Sequence, residues 1–236
     1  GEKYNIPYFS SIDKMFLGVE LDVVVVLTPS GNHAKDVINL AKYKKHIIVE
    51  KPLALNLEDA SNMIKACEDN SVRLFVVKQN RFNVPVIKMR EAYDQGRFGK
   101  VFMATVRVRW SRHQKYYDQD KWRGSWELDG GVLANQASHH IDMLQWILGE
   151  PKSVFAYSKN SIANIEAEDT AIAILKFKNG SLGLIEATTA TRPSNLEGSI
   201  SILGDQGTCV IEGFAVNEMK TWNFSDKRVG DENVQE

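Results

Sequence analysis

The fold is decided by the stretch Val23-Val24-Val25-Val26-Leu27-Thr28-Pro29-Ser30-Gly31-Asn32-His33. A continuous apolar run that stops abruptly at turn and capping residues is typical of a buried parallel strand that leads into a helix. Ser30 or Asn32 is expected to cap this helix, which we predict to continue to about Tyr43. A second apolar run follows at residues 47–49. The stretch therefore predicts a strand–helix–strand unit, the repeating element of α/β proteins.

Glu50, Lys51 and Pro52 follow the second strand directly. Open α/β sheets bind ligands in the crevice outside the carboxyl ends of their strands, so these residues are candidates for a binding site. A cis peptide bond before Pro52 is expected, because it turns Lys51 sharply into that crevice. The alternative for Lys51 is a solvated loop residue, since most lysines lie on the surface.

Residues 130–142 are a second informative segment, because they place polar, titratable groups on what otherwise resembles a core helix. A pair of glycines opens the segment and permits a close backbone approach. Apolar residues then recur at helical spacing, at Leu133, Ala137, Ile141, Leu144 and Leu148. Asn135 and His139 are i and i+4, so a helix over this segment places them on one face, away from the apolar stripe. The pattern predicts a functional site there, and the alternative is a core histidine with ordinary hydrogen bonds.

The pattern of apolar residues changes near residue 98. Before it, short apolar runs alternate with helical patterns, which predicts a partial Rossmann-type, doubly wound α/β domain over residues 1–97. After it, period-two alternation and hairpin signals at 179–180 and 204–207 predict an α+β domain over residues 98–236, with a large, mostly antiparallel, open-faced sheet. Strands are expected at residues 101–110, 154–157, 170–177, 181–189, 198–203 and 208–212.

Composition limits the class of protein. The 236 residues carry a formal net charge of −1, with 43% hydrophobic and 25% charged residues, which favours a globular enzyme and not a basic nucleic-acid-binding protein. No apolar run approaches the ~20 residues of a membrane helix. Cys67 and Cys209 lie far apart without metal-ligand spacing. We therefore expect a cytoplasmic protein with no metal, membrane or nucleic-acid partner. The polar tail from about Ser225 is expected to be poorly ordered.

Three signals occur in order along the chain: the strand that ends in Thr28-Pro29-Ser30-Gly31-Asn32-His33, the Glu50-Lys51-Pro52 turn, and residues 130–142 with His139. With them the chain resembles the glucose-fructose oxidoreductase and inositol dehydrogenase family, written Gfo/Idh/MocA, along nearly its whole length. Residues 109–135 contain Trp110-Ser111-Arg112, Tyr116-Tyr117 and Trp122-Arg123-Gly124. This segment is similar to the UDP-N-acetylglucosamine (or uronic acid) 3-dehydrogenases of bacterial surface-polysaccharide synthesis.

The resemblance implies a division of roles at the reacting hydroxyl. Oxidation of a sugar alcohol by hydride transfer needs a base for the hydroxyl proton and a nicotinamide held against the carbon. Histidine titrates near about 6.5 and lysine near about 10.4 in model peptides, so histidine is the competent base at neutral pH. His139 is expected to accept the proton and Lys51 to act as a cationic positioner, with both lining one cleft. Asn135 stands where many family members have aspartate, and because an amide cannot take a proton it is expected to hydrogen-bond the sugar or nicotinamide.

The resemblance also implies two sets of binding residues. The cofactor, NAD with NADP as an alternative, is expected to contact Thr28, Pro29, Ser30, Asn32, His33, Glu50, Lys51, Pro52, Gln79, Asn80, Arg81, Trp122 and Arg123. The substrate is expected to contact Arg109, Arg112, Tyr116, Tyr117, Asn135 and His139. Arginine forks bind phosphate, and aromatic faces stack on bases, which suits a diphosphate and a uracil. The alternative for the arginines and aromatic residues is a charged strand face beside a core aromatic cluster. The alternative for Gln79, Asn80 and Arg81 is that their side chains only cap the loop through local hydrogen bonds.

The expected function is NAD-dependent oxidation of the 3-hydroxyl of a UDP-linked N-acetylated sugar or uronate in surface-polysaccharide biosynthesis. The alternatives are a dehydrogenase of a free sugar or inositol, and a non-catalytic NAD-sensing regulator. The family's amino-terminal Gly-x-Gly-x-x-Gly turn and its acidic ribose-binding residue do not occur here, so the chain is expected to lack a piece that full cofactor affinity needs. Apolar residues occupy both alternations of residues 171–175 and 182–187, which predicts a homo-oligomer, a dimer or tetramer, through the sheet.

Overall fold

The chain folds as two units. The computed structural model describes residues 2–234, except for the side chain of Glu2. The first unit is Gly1–Val77 and the second is Lys78–Glu236. The sequence placed the division after residue 97. In the structure the division between the units follows Val77, because helix α4 (Val84–Asp94) buries its apolar face in the core of the second unit.

A parallel sheet of three strands forms the centre of the first unit. Its strands, in sheet order, are β1 (Val23–Val26), β2 (His46–Val49) and β3 (Leu74–Val76). Both pairings are parallel, as a strand–helix–strand sequence requires. The Rossmann-type sheet expected from the sequence is thereby confirmed.

Helices α1 (Ile12–Gly18), α2 (His33–Ala41) and α3 (Leu57–Asp69) complete the first unit. Asn56 caps α3, because its Oδ1 accepts a hydrogen bond from N of Asp59 at 2.8 Å. The expected side-chain cap on α2 is wrong. A short 3-10 turn, Ser30–Asn32, precedes α2, and the side chain of its N-cap residue Asn32 makes no capping hydrogen bond.

Seven strands form the sheet of the second unit, in the order β10-β9-β8-β4-β7-β6-β5. Among the described strands of this sheet, only β4 and β7 pair in parallel, and the other neighbours are antiparallel. The strands are β4 (Val101–Arg109), β5 (Pro151–Lys159), β6 (Thr170–Phe177), β7 (Leu182–Thr188), β8 (Glu197–Gly204), β9 (Gly207–Glu212) and β10 (Glu218–Phe224). The mostly antiparallel sheet is confirmed. β10 was not expected, because its sequence has no regular alternation and its pairing with β9 contains a register shift.

The two faces of this sheet differ in exposure. One face packs against α4 and α6 (Ser138–Leu148), and its core includes Ala171, Ala173 and Leu144. The opposite face is open: Ile172 and Ile174 alternate with the buried alanines and are 52% and 54% exposed. A short helix, α5 (Gln114–Tyr117), lies in the loop after β4. No helix in residues 2–234 is long and apolar enough to cross a membrane.

Arg97 orders the polar tail over residues 225–234, the part of it that the structure describes, which corrects the expectation of disorder there. The guanidinium group of Arg97 is 5% exposed and donates hydrogen bonds to Asp231 at 2.7 and 3.0 Å and to Asp226 Oδ1 at 3.2 Å. Trp222 Nε1 also donates to Asp231, at 2.7 Å. Composition alone suggested disorder because it does not show that a buried cation elsewhere in the chain pairs with these aspartates.

Candidate active site

His33 joins the two loops at the carboxyl edge of the first unit's sheet. The loop after β1 contributes O of Thr28, which lies 2.9 Å from His33 Nε2, and the turn after β2 contributes O of Pro52, which lies 2.8 Å from His33 Nδ1. The imidazole is buried, with 1% of the residue exposed. Both ring nitrogens face main-chain oxygens, so the His33 side chain holds the two loops together. Because both nitrogens are engaged in this way, the geometry does not indicate the expected direct contact between this side chain and a cofactor.

The turn after β2 has the expected backbone. The Lys51–Pro52 peptide bond is cis, which confirms the prediction. Glu50 Oε2 accepts a hydrogen bond from N of Lys51 at 3.0 Å. Thr28 Oγ1 donates to Asp36 Oδ2 at 2.7 Å, so an acidic side chain that the sequence analysis did not single out belongs to this group. Pro29, Ser30 and Asn32 lie in the same loop.

In the second unit, α6 begins at Ser138, later than the helical pattern indicated. Residues 131–137 form turns, so Asn135 precedes the helix and does not share a helical face with His139, and that prediction is wrong. The main chain is diverted by Glu168, because N of Val132 donates to its main-chain oxygen at 2.9 Å and N of Leu133 to its carboxyl oxygen at 3.1 Å. Asn135 and His139 still lie four residues apart, at the end of the turns and the start of α6.

Asp129 orients Asn135. Asn135 Nδ2 donates to Asp129 Oδ1, and Asp129 Oδ2 accepts from N of Gly124 at 2.7 Å. Asp129 is buried, with 2% exposed. Sequence reasoning missed Asp129 and Glu168, although an acidic residue directly before the glycine pair was a usable signal for the first.

The two adjacent histidines of α6 differ in character. His139 is 8% exposed and His140 is 1% exposed. Neither ring nitrogen of His140 has a hydrogen-bond partner among the described residues. Burial, followed by the neighbouring His139, lowers the pKa of His140 to about 3. His140 is therefore a neutral packing residue whose ring lies edge-on to Trp110, at 5.9 Å between ring centroids.

Two arginines and three aromatic rings come together after β4; we call Trp110, Arg112, Tyr116, Trp122 and Arg123 the Arg112 cluster. The Arg112 guanidinium lies 5.3 Å from the ring centroid of Trp110 and 5.4 Å from that of Tyr116. The Arg123 guanidinium lies 4.4 Å from Tyr116 and 4.7 Å from Trp122. Arg112 Nη1 also donates to O of Ser111 at 2.8 Å, and Arg123 Nε donates to Asp120 Oδ2 at 2.9 Å. Because a guanidinium group has five N–H donors, both arginines retain donors for an anionic ligand, and the aromatic faces suit a ring. Phe214, 4.5 Å from Trp110, extends the aromatic surface and was not foreseen.

Arg109 and Tyr117 do not join this cluster. Arg109 donates to Glu186 at 2.6 and 2.7 Å and to Glu197 at 3.0 Å. Because side chains alternate along a strand, Arg109 lies on the open face of the sheet, opposite Trp110 and α6. Tyr117 is buried and shares a hydrogen bond of 2.8 Å with Thr189. The structure therefore does not bring Arg109 and Tyr117 to the other expected substrate residues, and their role in substrate binding stays a prediction.

The loop after β3 is bound to α6 by an ion pair. Arg81 donates two hydrogen bonds of 2.7 Å to the carboxylate of Asp142, and Lys78 Nζ lies 3.7 Å from the same group. Burial lowers the pKa of Lys78, while Asp142 opposes that shift. Gln79 and Asn80 lie in the short 3-10 turn Gln79–Phe82, and Asn80 is buried. Arg81 is thus committed to α6, and its expected cofactor contact does not follow from this geometry.

A parallel α/β unit with polar loops at its carboxyl edge, followed by an open-faced sheet with a histidine-bearing helix, is typical of proteins built from a dinucleotide-binding domain and a second α+β domain. Family models agree with this class. Residues 1–78 match the oxidoreductase family with an NAD-binding Rossmann fold, and residues 86–210 match the Gfo/Idh/MocA C-terminal domain. The chain belongs to the Gfo/Idh/MocA family, which confirms the resemblance noted in the sequence.

Solved structures and curated relatives give the same result. The WlbA dehydrogenase from Bordetella pertussis, in complex with NADH and UDP-GlcNAcA, is 46% identical, with a TM-score of 0.93 over 96% of this chain and 65% of that one. WlbA from Chromobacterium violaceum, with the same ligands, is 42% identical, with a TM-score of 0.95 over 99% of this chain and 68% of that one. Myo-inositol 2-dehydrogenase of Thermotoga maritima is 34% identical over 70% of this chain, which spans 49% of that relative's length.

Proposed function

We propose that the protein is an NAD-dependent dehydrogenase that oxidises the 3-hydroxyl of a UDP-linked N-acetylated sugar or uronate, in surface-polysaccharide biosynthesis. The observation that carries the substrate class is the Arg112 cluster, which combines two guanidinium groups with aromatic faces. A diphosphate needs the first and a uracil ring suits the second. The similarity to WlbA structures that contain NADH and UDP-GlcNAcA supports the same substrate class.

The first unit fits the nicotinamide end of NAD. Thr28, Ser30, Glu50, Lys51 and Pro52 lie in loops at the carboxyl edge of parallel strands, where such sheets bind dinucleotides, and His33 joins two of these loops. When bound, NAD supplies the acceptor for the hydride that leaves the sugar carbon. No residue of this sequence is assigned to the ribose of the adenosine, so NADP stays an alternative.

We assign the proton chemistry to three side chains. His139 accepts the hydroxyl proton, because a neutral imidazole nitrogen is a base at neutral pH. Lys51 orients the hydroxyl as a cation, and the Asn135 amide, held by Asp129, donates or accepts a hydrogen bond at the sugar or nicotinamide. The proton is taken up as the hydride leaves, so the alcohol becomes a ketone with no change in the rest of the sugar.

The substrate class is tested by replacing Arg112 or Arg123 with alanine. Affinity for UDP-N-acetylglucosaminuronate is expected to fall by ~1.5–3 kcal/mol, the contribution of a charged hydrogen bond, while affinity for an uncharged free sugar hardly changes. Titration calorimetry in the presence of NADH measures both. Lys115→Ala is the matched control, since it removes one positive charge from an exposed position of the same loop. Equal losses for both ligands, or no loss for either, would support a free-sugar substrate.

A dehydrogenase of a free sugar or inositol is the second candidate, and the relation to myo-inositol 2-dehydrogenase favours it. An NAD-sensing regulator without turnover is the third. A screen of UDP-sugars, free sugars and inositols that records NADH fluorescence separates the three. Turnover with an inositol alone favours the second, and cofactor binding without any turnover favours the third.

We propose that the open sheet face forms a homo-oligomer interface. Exposed apolar side chains on this face include Phe155, Tyr157, Ile172, Ile174 and Leu182. Strand register places Phe155 beside Ile174 and Tyr157 beside Ile172, so the apolar surface is continuous. Burial of such a surface in a stable dimer or tetramer is expected to cover more than ~1,000 Å² in total.

The double variant Ile172→Lys/Ile174→Lys is expected to shift the protein to monomers, because two buried cations would oppose association. Sedimentation velocity measures the change. Leu17→Lys, at a residue 88% exposed on α1, is the control and should leave the mass unchanged. A wild-type protein that sediments as a monomer at micromolar concentration would contradict the interface.

We place the protein in the cytoplasm. Cys67 and Cys209 are buried free thiols, and burial raises the pKa of both, so neither is suited to disulfide exchange. Cysteines that form no disulfide are typical of a reducing compartment.

A further inference from the structure

Glu168 is a buried acidic side chain that the roles assigned so far do not use. Only 7% of the residue is exposed. One carboxyl oxygen, Oε1, accepts a hydrogen bond from N of Leu133 at 3.1 Å. The other, Oε2, is buried without a hydrogen-bond partner among the described residues. Gly131 provides the space for this oxygen, because a Cβ atom there would lie 1.7 Å from Oε2.

The segment that Glu168 contacts leads directly to the proposed catalytic residues. Within residues 131–137, N of Asn135 donates to O of Gly131 at 3.0 Å, and N of Ala137 donates to O of Val132 at 2.8 Å. Helix α6 starts at the next residue. The turns that these two bonds close overlap, so a displacement of Val132 or Leu133 also moves Asn135 and the first turn of α6, which carries His139.

The surroundings of the carboxyl group are acidic. Burial raises the pKa of Glu168, and the main-chain amides of Leu133 and of Glu168 itself oppose that rise. Asp129 and Asp169 are the charged groups that face it, and both raise the pKa further. Although ionisation of this carboxyl group is disfavoured, its Oε1 accepts the hydrogen bond from N of Leu133, so the contact with residues 131–137 is made by a buried side chain.

We propose that Glu168 is a positioning residue, whose carboxyl oxygen holds residues 131–137 in the geometry that presents Asn135 and His139 to the sugar. This rests on the proposed dehydrogenase function. A base displaced by about 1 Å loses up to ~100-fold in rate, because proton transfer depends steeply on alignment. Binding of the UDP group is carried by the Arg112 cluster, so Glu168 acts on kcat and not on KM.

Two substitutions of Glu168 in the intact protein test the proposal. Glu168→Gln keeps an acceptor for the Leu133 amide and is expected to keep kcat within about threefold of the wild type. Glu168→Leu removes the acceptor but fills the space, and is expected to lower kcat by ~10- to 100-fold with the KM for the UDP-sugar unchanged. Gly131→Ala, which displaces the same carboxyl group, is expected to act like Glu168→Leu. The proposal is overturned if Glu168→Leu keeps the wild-type kcat, or if Glu168→Gln is as slow as Glu168→Leu.

Hydrogen exchange separates this proposal from the proposed function. The amide of Leu133 is expected to be protected in the wild type and in Glu168→Gln and to exchange faster in Glu168→Leu. A wild-type protein that oxidises no sugar contradicts the dehydrogenase function, whatever the exchange shows. Unchanged protection of Leu133 in Glu168→Leu contradicts the positioning role, even in an active enzyme.

The pH dependence of stability gives a further readout. A raised pKa means that ionised Glu168 destabilises the fold, so the wild type loses stability relative to Glu168→Gln as the pH rises through that pKa. Below the ordinary pKa of glutamate both side chains are neutral, and the difference in Tm is expected to disappear. Glu166→Gln, at an exposed acid two residues away, should show no such trend. A Tm difference for Glu168→Gln that is the same at every pH contradicts a buried carboxyl group and with it the proposal.

Discussion

His139→Ala is expected to lower kcat by ~10²- to 10⁴-fold, the usual contribution of a general base. The proposed reaction cannot release a hydride from the sugar carbon unless the hydroxyl proton has an acceptor. NADH binding should persist, because the cofactor residues are proposed to lie in the loops of the first unit. Steady-state kinetics with a UDP-sugar and fluorescence titration with NADH measure the two quantities.

His46→Ala serves as the control for this substitution. It removes an exposed histidine at the start of β2, which accepts a hydrogen bond from N of Arg73, and kcat should stay within about threefold of the wild type. Turnover by His139→Ala within tenfold of the wild type would show that another group takes the proton. Lys51 would then be the next candidate, and its variants would have to show the larger loss.

Arg97→Ala is expected to lower the free energy of unfolding of the second unit by ~3 kcal/mol, because it removes the cation that pairs with the mostly buried Asp231 and leaves that carboxylate only neutral donors such as Trp222 Nε1. The Asp231 carboxylate is 15% exposed and receives two hydrogen bonds from Arg97. Urea denaturation monitored by tryptophan fluorescence measures the loss. Lys178→Ala, which breaks a pair with Glu150 whose side chains are 61% and 67% exposed, should cost less than ~1 kcal/mol.

The same pair predicts a pH effect with a definite sign. Hydrogen bonds from Arg97 hold the pKa of Asp231 well below its usual range. The pair therefore stabilises the fold at pH values above the ordinary pKa of aspartate, about 3.9, and that contribution is lost as the pH falls further. The difference between the wild type and Arg97→Ala should accordingly shrink in acid, and a difference that stays constant down to pH 2 would contradict the assignment.

Patterns within a short stretch of sequence predicted the elements that depend on local preference. The apolar run before Thr28 predicted β1, and the alternation after residue 98 predicted β4. Each of these strands is specified by its own residues, since burial of one or both faces requires a matching periodicity. The Glu50-Lys51-Pro52 turn is similar, because proline limits the backbone of its neighbours, and the cis bond at Lys51 was foreseen.

Residues 131–137 show where local pattern fails. Their apolar spacing is helical, yet they form turns, because Glu168, more than thirty residues later in the chain, supplies acceptors for the amides of Val132 and Leu133. The first amides of a helix have no acceptor within it, and here Glu168 supplies two such acceptors, while N of Ala137 donates to O of Val132, five residues earlier, and not to Leu133. Only the folded chain brings Glu168 to this segment. A tertiary contact likewise orders residues 225–234: composition had predicted that the tail is disordered, but Arg97 donates hydrogen bonds to Asp231 within it.

The sequence by itself determined most of the strands and helices, though not β10. It also determined the change from a parallel to a mostly antiparallel sheet and the choice of Lys51 and His139 as candidate site residues, because each depends on a pattern among neighbouring residues. The tertiary structure alone decided which arginines belong together. Arg109 and Arg112 are three residues apart, but Arg109 pairs with Glu186 and Glu197 on the open sheet face while Arg112 lies over Trp110 and Tyr116. Strand pairing brings those acidic partners from 77 and 88 residues away, and no local pattern contains that information.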